Sequence, residues 1–322
     1  MIHIWQAIIL GVIQGITEFL PVSSTAHLIL VPWFFHWPDP GLTFDVALHA
    51  GTLLAIIGFF FMTWIRIIRA GFGAAIDIHT GAPISGPALA VQQRLLWFLV
   101  LATIPGGIIG LAFDKEIEST WRNPLIIAAS LIVVGILMGW ADRMPERNEA
   151  RRMRQAGGEQ AAQSVLAQAA GSGAATALAA TAERQAPGKD FDKTSMWEAW
   201  WIGCAQAVAV IPGISRSGST ITAGLFAGLS REAAARFSFL MATPIIAGAV
   251  LYKAHQVQKT GIPAGMHGPF VAGVIASGIV GIVSIWLFIR FLKLNTLRFF
   301  VWYRVILGLI VIGLFFAGFR AF

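Results

Sequence analysis

The sequence predicts an all-α, polytopic membrane protein built as an inverted-topology repeat, each half a re-entrant helical hairpin plus three transmembrane helices. Three observations support this fold class. The 322 residues are 57% hydrophobic and only 12% charged, which is about half the charged fraction of a soluble domain. Apolar stretches long enough to cross a bilayer recur along the chain. Two polar, proline-containing breaks interrupt apolar sequence at corresponding places in the two halves.

Each half begins with one of these broken apolar segments. The first covers about 4–37 with its break at 21–25, and the second covers about 196–229 with its break at 212–219. Irregular backbone at membrane depth persists only where protein or a water-filled cavity satisfies its polar groups. We therefore expect the tips of the two hairpins to meet at an interior site.

Three predicted spans follow the break in each half, at about 44–65, 95–113, 124–140, 233–252, 269–291 and 299–319. The chain then forms one integral membrane domain, with repeat one at about 1–140, a connector at 141–195 and repeat two at 196–322. The middle of the connector, about 155–185, is rich in Ala, Gln, Gly and Ser. Such a segment cannot bury a core, and we expect no chemistry in it.

The distribution of Lys and Arg predicts the topology. The 66–94 connection and the 141–195 connector carry most of the basic residues between spans, whereas the 114–123 loop is more acidic than basic. The positive-inside rule places the two basic connections in the cytoplasm and the acidic loop outside. Both termini are then outside, and the two hairpins enter the membrane from opposite faces.

Ionisable side chains within membrane segments are costly, so they are functional candidates by default. Few occur here, and we place them at the two breaks. Glu18 follows Gln14 by one turn, so both project from one helix face. His27 follows the hydroxyl cluster 23–25 by about one turn, and Arg216 lies within the second break. A pocket shielded from water that contains a carboxylate, an imidazole, a guanidinium and several hydroxyls would suit an anionic substrate.

The second break, 215–220, has the composition of a phosphate cradle. Its hydroxyls and the backbone N–H groups at the start of the following helix would point at the ligand, and Arg216 offers a planar donor fork that matches phosphate oxygens. The alternative is an ordinary helix N-cap whose arginine extends to water.

The first break offers several chemical roles. Glu18 could hold a divalent cation, with the Gln14 carbonyl as a second ligand, or transfer a proton. The alternative is a structural Glu18 paired with Arg216. Ser24 could attack phosphorus with His27 as its base, or His27 could itself be the nucleophile or the general acid. The residues alone leave these roles open.

Other polar residues give weaker signals. We interpret Asp45 and His49 as ordinary residues of a helix start, with a position at the outer mouth of the site as the alternative. The single Cys204 excludes a disulfide within one chain and a cysteine-based metal site. The net charge of +7 comes from residues between the spans, so it indicates topology and no nucleic-acid partner.

Both breaks resemble a known family. The stretch 14–27 is similar to the (E/Q)xxxE–FLPVSSTxH motif of the bacterial undecaprenyl-diphosphatases, the bacitracin-resistance family, and 212–220 is similar to its PGxSRSxxT motif. The resemblance implies a membrane enzyme that hydrolyses undecaprenyl diphosphate, recycles the lipid carrier of cell-wall synthesis and confers bacitracin resistance. It also implies a divalent cation, Mg²⁺ or Ca²⁺, an inverted repeat, and a site facing the periplasm from the cytoplasmic membrane.

Carried over by position, the resemblance implies four catalytic residues: Glu18, Ser24, His27 and Arg216. The residues that it implies for substrate binding are Gln14, Ser23, Thr25, Ser215, Ser217 and Thr220. Glu18 and Gln14 would hold the cation, although many members have Glu where this chain has Gln14, so one charge is missing.

The expected partners are a polyprenyl diphosphate lipid, the surrounding membrane lipid and a second copy in a homodimer, with no nucleic acid. A transporter or flippase for a phosphorylated substrate is the alternative function, because transporters share inverted repeats and midplane hairpins. A nucleophile beside a carboxylate favours the enzyme, since transport requires neither.

Overall fold

The computed structural model describes residues 2–113, 116, 121–144, 188–262 and 264–319. These ranges contain eleven α-helices, one short 3-10 turn and only isolated β-bridges. Most of the predicted connector, including 155–185, lies outside them. The helices are α1 (Ile4–Thr17), α2 (Ser24–Phe34), α3 (Leu42–Phe59), α4 (Phe61–Gly71), α5 (Pro87–Ala112), α6 (Pro124–Ala141), α7 (Met196–Val208), α8 (Arg216–Phe226), α9 (Arg231–Thr260), α10 (His267–Leu292) and α11 (Arg298–Phe316).

Six of the described helices are long and apolar enough to cross a membrane: α3, α5, α6, α9, α10 and α11. The prediction of three spans in each half is therefore confirmed, and the chain is a multi-pass membrane protein. Two helices are longer than predicted. Pro87 occupies the first turn of α5, where its missing N–H is not needed, and α9 continues to Thr260.

The predicted span 44–65 is wrong in one respect, because it contains a junction between α3 and α4. Phe60 separates the two helices with φ −98° and ψ 17°, outside the helical region. Its ring is buried and lies 6.4 Å from the ring of Phe239 on α9. The sequence stays apolar through the junction, so hydropathy gave no sign that the helix is interrupted there.

Both predicted breaks are hairpin turns, one between α1 and α2 and the other between α7 and α8. Each turn ends at a serine with positive φ, Ser23 at 75° and Ser215 at 73°. The Ser23 hydroxyl accepts a hydrogen bond from the Ala26 N–H (3.3 Å), and the Ser215 hydroxyl accepts one from the Gly218 N–H (3.0 Å). These N-caps fix the first turns of α2 and α8.

Each hairpin packs against the opposite half of the chain. α1 lies against α10, α7 lies against α5, and α6 pairs with α11. Glycines permit the first two approaches, because a Cβ at Gly11 would collide with the Gly273 carbonyl, and one at Gly203 would collide with the Ala102 carbonyl. Helices of the first half thus pack directly against helices of the second half. The orientation of the two halves in a bilayer stays a prediction.

A polar network joins the connection after α4 to the segment before α7. The Gln92 amide, on α5, donates to Asp77 Oδ2 (3.1 Å) and to Asp192 Oδ2 (3.2 Å). The Thr80 backbone N–H donates to Asp77 as well, and this bond, with that from Gln92, lowers the pKa of Asp77 to about 2. Asp77 therefore stays ionised at neutral pH.

Candidate active site

An ion pair between the two hairpins forms the centre of the site. Glu18 follows the last residue of α1, and Arg216 is the first residue of α8. Their side chains meet at 2.9 Å, from the Arg216 Nη2 to the Glu18 Oε1, and Glu18 is only 5% exposed. Removing both ions from water is costly unless each is paired and hydrogen-bonded. The expected meeting of the hairpin tips is thus present in the structure.

The second oxygen of Glu18 accepts three further hydrogen bonds. Ser24 Oγ donates from 2.7 Å, Gln14 Nε2 from 3.1 Å, and His49 Nε2 lies at 3.2 Å. The Gln14 contact follows from the one-turn spacing on α1. With Arg216, four side chains surround this one carboxylate.

Ser24 and His27 do not form the pair that their spacing suggested. The Ser24 hydroxyl donates to Glu18 instead. One His27 ring nitrogen contacts the Ser23 carbonyl (2.7 Å), and the other contacts the Tyr303 hydroxyl (2.6 Å). The imidazole and the phenol ring are also stacked, 5.7 Å apart and 7° from parallel. Glu18 is therefore the group positioned to take a proton from Ser24.

Arg216 is held in place from α9. Its Nη1 donates to the Ser238 carbonyl (3.0 Å). The Ser238 hydroxyl lies 2.7 Å from the Thr220 hydroxyl, which also donates to the Arg216 carbonyl (2.7 Å). The Arg216 Nε is buried and has no hydrogen-bond partner among the described residues. One donor of the guanidinium is thus available to a ligand.

The remaining hydroxyls of the two turns mostly bond within the protein. Ser217 Oγ donates to the Leu20 carbonyl in the first turn (3.1 Å) and lies 3.2 Å from Ser215 Oγ. Thr25 lies half-buried in the first turn of α2. α2 and α8 both begin at the centre, where the first N–H groups of a helix lack intrahelical partners and its dipole favours anions.

A buried arginine on α11, Arg304, forms hydrogen bonds to the backbone of both turns. Arg304 has 0% exposure. It donates to the carbonyls of Pro21 (3.1 Å) in the first turn and of Gly213 and Ile214 (both 2.9 Å) in the second. Two further bonds go to α6, to the carbonyls of Leu131 (3.2 Å) and Ser130 (3.5 Å). All five acceptors are neutral carbonyls, so Arg304 brings positive charge close to both turns.

Asp45 and His49 have different positions, and the interpretation of His49 as an ordinary helix-start residue is wrong. His49 contacts Glu18 directly and is held by the Asp45 carbonyl (2.7 Å). The Asp45 carboxylate instead pairs with Arg122 (2.9 Å), which also binds Asp39 (2.9 Å). The imidazole therefore belongs to the centre, while the Asp45 carboxylate belongs to a charged network at the start of α3.

Sequence reasoning also missed Ser238, Tyr303 and Arg304. Arg304 lies inside the predicted span 299–319, so the rule that intramembrane charges are functional would have identified it. Our expectation that such groups occur only at the two breaks is wrong for this residue. Ser238 and Tyr303 carry no comparable signal, because hydroxyls are common in apolar helices.

The comparisons with known proteins agree with these motifs. The model of the family described as "Bacitracin resistance protein BacA" matches residues 7–310. The chain belongs to the BacA family. The undecaprenyl-diphosphatase of Moorella thermoacetica is 39% identical over 310 residues, which are 96% of this chain and 97% of that protein. The undecaprenyl-diphosphatase of Pelotomaculum thermopropionicum is 41% identical over 311 residues, 97% of this chain and 96% of that protein.

The BacA match includes the whole centre, from Gln14 on α1 to Arg304 on α11. The donor set of this BacA chain fits a divalent cation beside Glu18. Gln14 Oε1 is buried and has no hydrogen-bond partner among the described residues, so a carbonyl oxygen next to a carboxylate is available, as Mg²⁺ and Ca²⁺ require. Because Arg216 and His49 lie beside Glu18, a phosphate ligand bound at the centre would make cation binding there more favourable.

Proposed function

We propose that this chain hydrolyses undecaprenyl diphosphate to undecaprenyl phosphate and phosphate, and so recycles the lipid carrier of cell-wall synthesis and gives bacitracin resistance. One observation carries the proposal. A hydroxyl (Ser24), a carboxylate (Glu18) and a guanidinium (Arg216) are joined by contacts of 2.7 and 2.9 Å inside a membrane domain. Family membership and the names of the two relatives, both undecaprenyl-diphosphatases, support the same reaction.

The diphosphate would bind where the two helix N-termini meet. The unpartnered Nε of Arg216 offers a first donor, and the N–H groups at the starts of α2 and α8 offer others. As phosphate oxygens attract the guanidinium, Arg216 shifts its bonds from Glu18 to the substrate. Glu18 then has fewer donors, and its carboxylate can accept a proton from Ser24.

In the first chemical step Ser24 Oγ attacks the terminal phosphorus. The Oγ–P bond forms while the bond from that phosphorus to the bridging oxygen breaks, and undecaprenyl phosphate leaves with that oxygen. Glu18 takes the Ser24 proton and passes it to the departing phosphate. Arg216 stabilises the charge that develops on the phosphoryl oxygens.

In the second step water attacks the phosphoserine. Glu18 accepts a proton from the water and returns it to Ser24 Oγ as the Oγ–P bond breaks. Phosphate is released, and Ser24 and Glu18 regain their starting protonation states. Atoms and charges balance over the two steps.

His27 and Tyr303 would connect this chemistry to the lipid tail. Tyr303 binds His27 through its hydroxyl, and its ring lines an apolar groove of about 350 Å³ along α11. The groove is lined by Phe299, Trp302, Tyr303, Ile306, Leu307 and Ile310. A polyprenyl chain in this groove places its diphosphate at the His27 end, which orients the terminal phosphate towards Ser24.

We propose that a divalent cation, Mg²⁺ or Ca²⁺, would be held by the Glu18 carboxylate, the Gln14 carbonyl and the diphosphate. When bound, such an ion supplies charge neutralisation for phosphate oxygens. Chelation should lower phosphate release by the purified protein, and added Mg²⁺ or Ca²⁺ should restore it. Gln14→Glu should lower the cation concentration needed for half-maximal rate, because it adds a second carboxylate.

Phosphate release from undecaprenyl diphosphate tests the reaction and the nucleophile. Ser24→Ala should reduce turnover by on the order of 10³ or more, whereas Thr103→Ala should leave it unchanged, since that hydroxyl bonds only within its own helix. His27→Ala should keep measurable turnover. The attack would be assigned to His27 instead if His27→Ala lost all turnover and the quenched parent enzyme contained acid-labile phosphohistidine. A protein that moves the lipid but releases no phosphate would support the transporter.

We propose that the protein lies in the bacterial cytoplasmic membrane with its site towards the periplasm. In a Cys204→Ala background, an impermeant thiol reagent added outside should label a cysteine at Ser119 and spare one at Ser172. The reverse labelling would overturn the topology and the inverted repeat with it. The expected homodimer is tested by light scattering of the detergent-solubilised protein, where the mass of one chain would contradict it.

A further inference from the structure

A second cluster of metal-ligating side chains lies in the two polar connections joined by Gln92. His79 Nε2 is 3.4 Å from Asp192 Oδ2 and 3.9 Å from Asp190 Oδ2. All three ligand atoms lie within 4.8 Å of one another. The cluster shares no residue with the Glu18 centre, and the reaction proposed above does not use it.

The spacing of these atoms suits one metal ion. Ligand atoms bound at about 2.1 Å in tetrahedral geometry are roughly 3.4 Å apart. The His79–Asp192 separation already has this value, and the His79–Asp190 separation is 3.9 Å. Asp190 is exposed, so its carboxylate can move the short distance that closes the site.

An unsatisfied atom independently points to a ligand here. Asp192 is only 9% exposed, and its Oδ1 is buried without a hydrogen-bond partner among the described residues. A buried acceptor left without a donor is destabilising. A cation bound to the Asp192 carboxylate would satisfy this oxygen.

The groups around the cluster are already arranged as a supporting shell. Gln92 donates to Asp77 and to Asp192 Oδ2, the oxygen that faces His79, so it helps to orient the more buried carboxylate. Asp190 accepts the Phe191 N–H through Oδ1 (2.7 Å), and its Oδ2 faces His79. These bonds orient both carboxylates.

We propose that His79, Asp190 and Asp192 form a binding site for a divalent transition-metal ion, with Zn²⁺ as the ion tested first. One imidazole with two carboxylates is a donor set for Zn²⁺, Mn²⁺, Fe²⁺ or Ni²⁺, whereas Mg²⁺ and Ca²⁺ prefer oxygen ligands alone. The ion would tie the connection after α4 to the segment that leads into α7, and so would steady the chain where it approaches the second hairpin.

The test is metal titration of the full-length protein, purified in detergent without a polyhistidine tag. Isothermal calorimetry with Zn²⁺ and absorption spectroscopy with Co²⁺ should both find one tight site. His79→Gln and Asp192→Asn should weaken binding by at least about tenfold. Two control variants should bind like the parent: His36→Gln, at another exposed histidine, and Glu18→Gln, in the catalytic centre.

Stability measurements make the test independent of damage to the fold. Zn²⁺ should raise the thermal unfolding temperature of the parent and of Glu18→Gln, but not that of His79→Gln, whose unfolding in chelator should match the parent. Equal Zn²⁺ affinity in parent and His79→Gln would overturn the site. So would the absence of binding in the parent, or a loss of binding in Glu18→Gln alone.

Discussion

The two hairpin turns share a backbone and differ in charge. Both end at a serine with positive φ that caps the next helix, Ser23 and Ser215. The residue after the cap is Ser24 in the first turn and Arg216 in the second. Nine residues before each cap stands a glutamine, Gln14 or Gln206. The same type of turn therefore occurs twice. The first copy presents a hydroxyl beside a carboxylate, and the second presents a guanidinium.

The glutamines reveal where the halves diverge. Gln14 donates to Glu18, whereas both amide atoms of Gln206 are buried without a hydrogen-bond partner in the described part of the chain. The position in the second half that corresponds to Glu18 is occupied by Val210. The carboxylate of the first turn therefore faces the guanidinium of the second turn, and an apolar residue stands at the matching position of the second half.

Among the variants that compare the two turns, those that remove the cation of the second turn should have the largest effect. Arg216→Ala should lower phosphate release by on the order of 10²–10³, and Arg216→Lys should restore little, because lysine lacks the planar fork. Arg236→Ala is the matched control on α9, where the arginine forms an ion pair with Glu232 one turn away. Near-normal turnover in folded Arg216→Ala would refute the shared centre.

The shared anchor of both turns should give the next largest effect. Arg304→Met leaves five backbone carbonyls without this donor, and we expect a loss of about 3 kcal/mol or more in unfolding free energy. Arg298→Met, at an exposed arginine of the same helix, should change stability little. Thermal unfolding in detergent measures the stability of both variants. Equal unfolding temperatures would show that the two turns are stable without Arg304.

The two glutamines provide a direct test of the divergence. Gln14→Leu removes a donor to the Glu18 carboxylate and should lower turnover by about tenfold, since a hydrogen bond to a charged group contributes about 1.5–3 kcal/mol. Gln206→Leu should leave turnover unchanged and should maintain or raise the unfolding temperature, because the unpaired amide is removed. Similar losses of turnover in both variants would mean that the halves are functionally equivalent.

The two cap serines should respond alike, which tests the shared backbone. At Ser23 and Ser215, Ala keeps the unfavourable positive φ and removes the cap, so each substitution should cost about 1–2 kcal/mol. Gly also removes the cap but relieves the φ strain and should be nearly neutral. Ser230 caps α9 with φ −65°, so its Gly and Ala variants should differ less. Thermal unfolding of the six variants decides the point.

The smallest effect concerns the link between His27 and the groove. Tyr303→Phe removes one hydroxyl contact and keeps the stacked ring, so turnover should fall only several-fold, as expected for about 0.5–1.5 kcal/mol. The other tyrosine of the chain, Tyr252, lies on α9 and provides the control Tyr252→Phe. A fall of 10³ in Tyr303→Phe would instead give the phenol a direct part in the chemistry.

Local pattern predicted much of the fold and the core of the site. Hydropathy identified all six spans, and proline and serine clusters identified both turns. The cost of charge in lipid then selected Glu18 and Arg216 before any contact was known. The Gln14–Glu18 contact followed from helical spacing. These features depend on residues close in sequence, which is why periodicity and composition could predict them.

Features that depend on distant residues could not be predicted in the same way. His49 reaches Glu18 from α3, and Ser238 holds Arg216 from α9, so neither contact appears in a local pattern. The junction at Phe60 has no break in hydropathy. The pairing of Ser24 with Glu18 rather than His27 depends on Tyr303, which binds the imidazole from α11. Arg304 carried a signal in the sequence that we did not use.

Arg304 has a consequence for how the site can change over evolution. It recognises the peptide carbonyls of Pro21, Gly213 and Ile214 and makes no bond to their side chains. An anchor of this kind is insensitive to which side chain a turn displays, provided that the chain follows the same path. Side chains of the turns can therefore be exchanged while the turns stay in register, except at Gly213, where a Cβ would lie 2.5 Å from the Ile127 carbonyl oxygen. A designer could keep Arg304 and graft new polar groups onto either turn to accept a different anionic lipid.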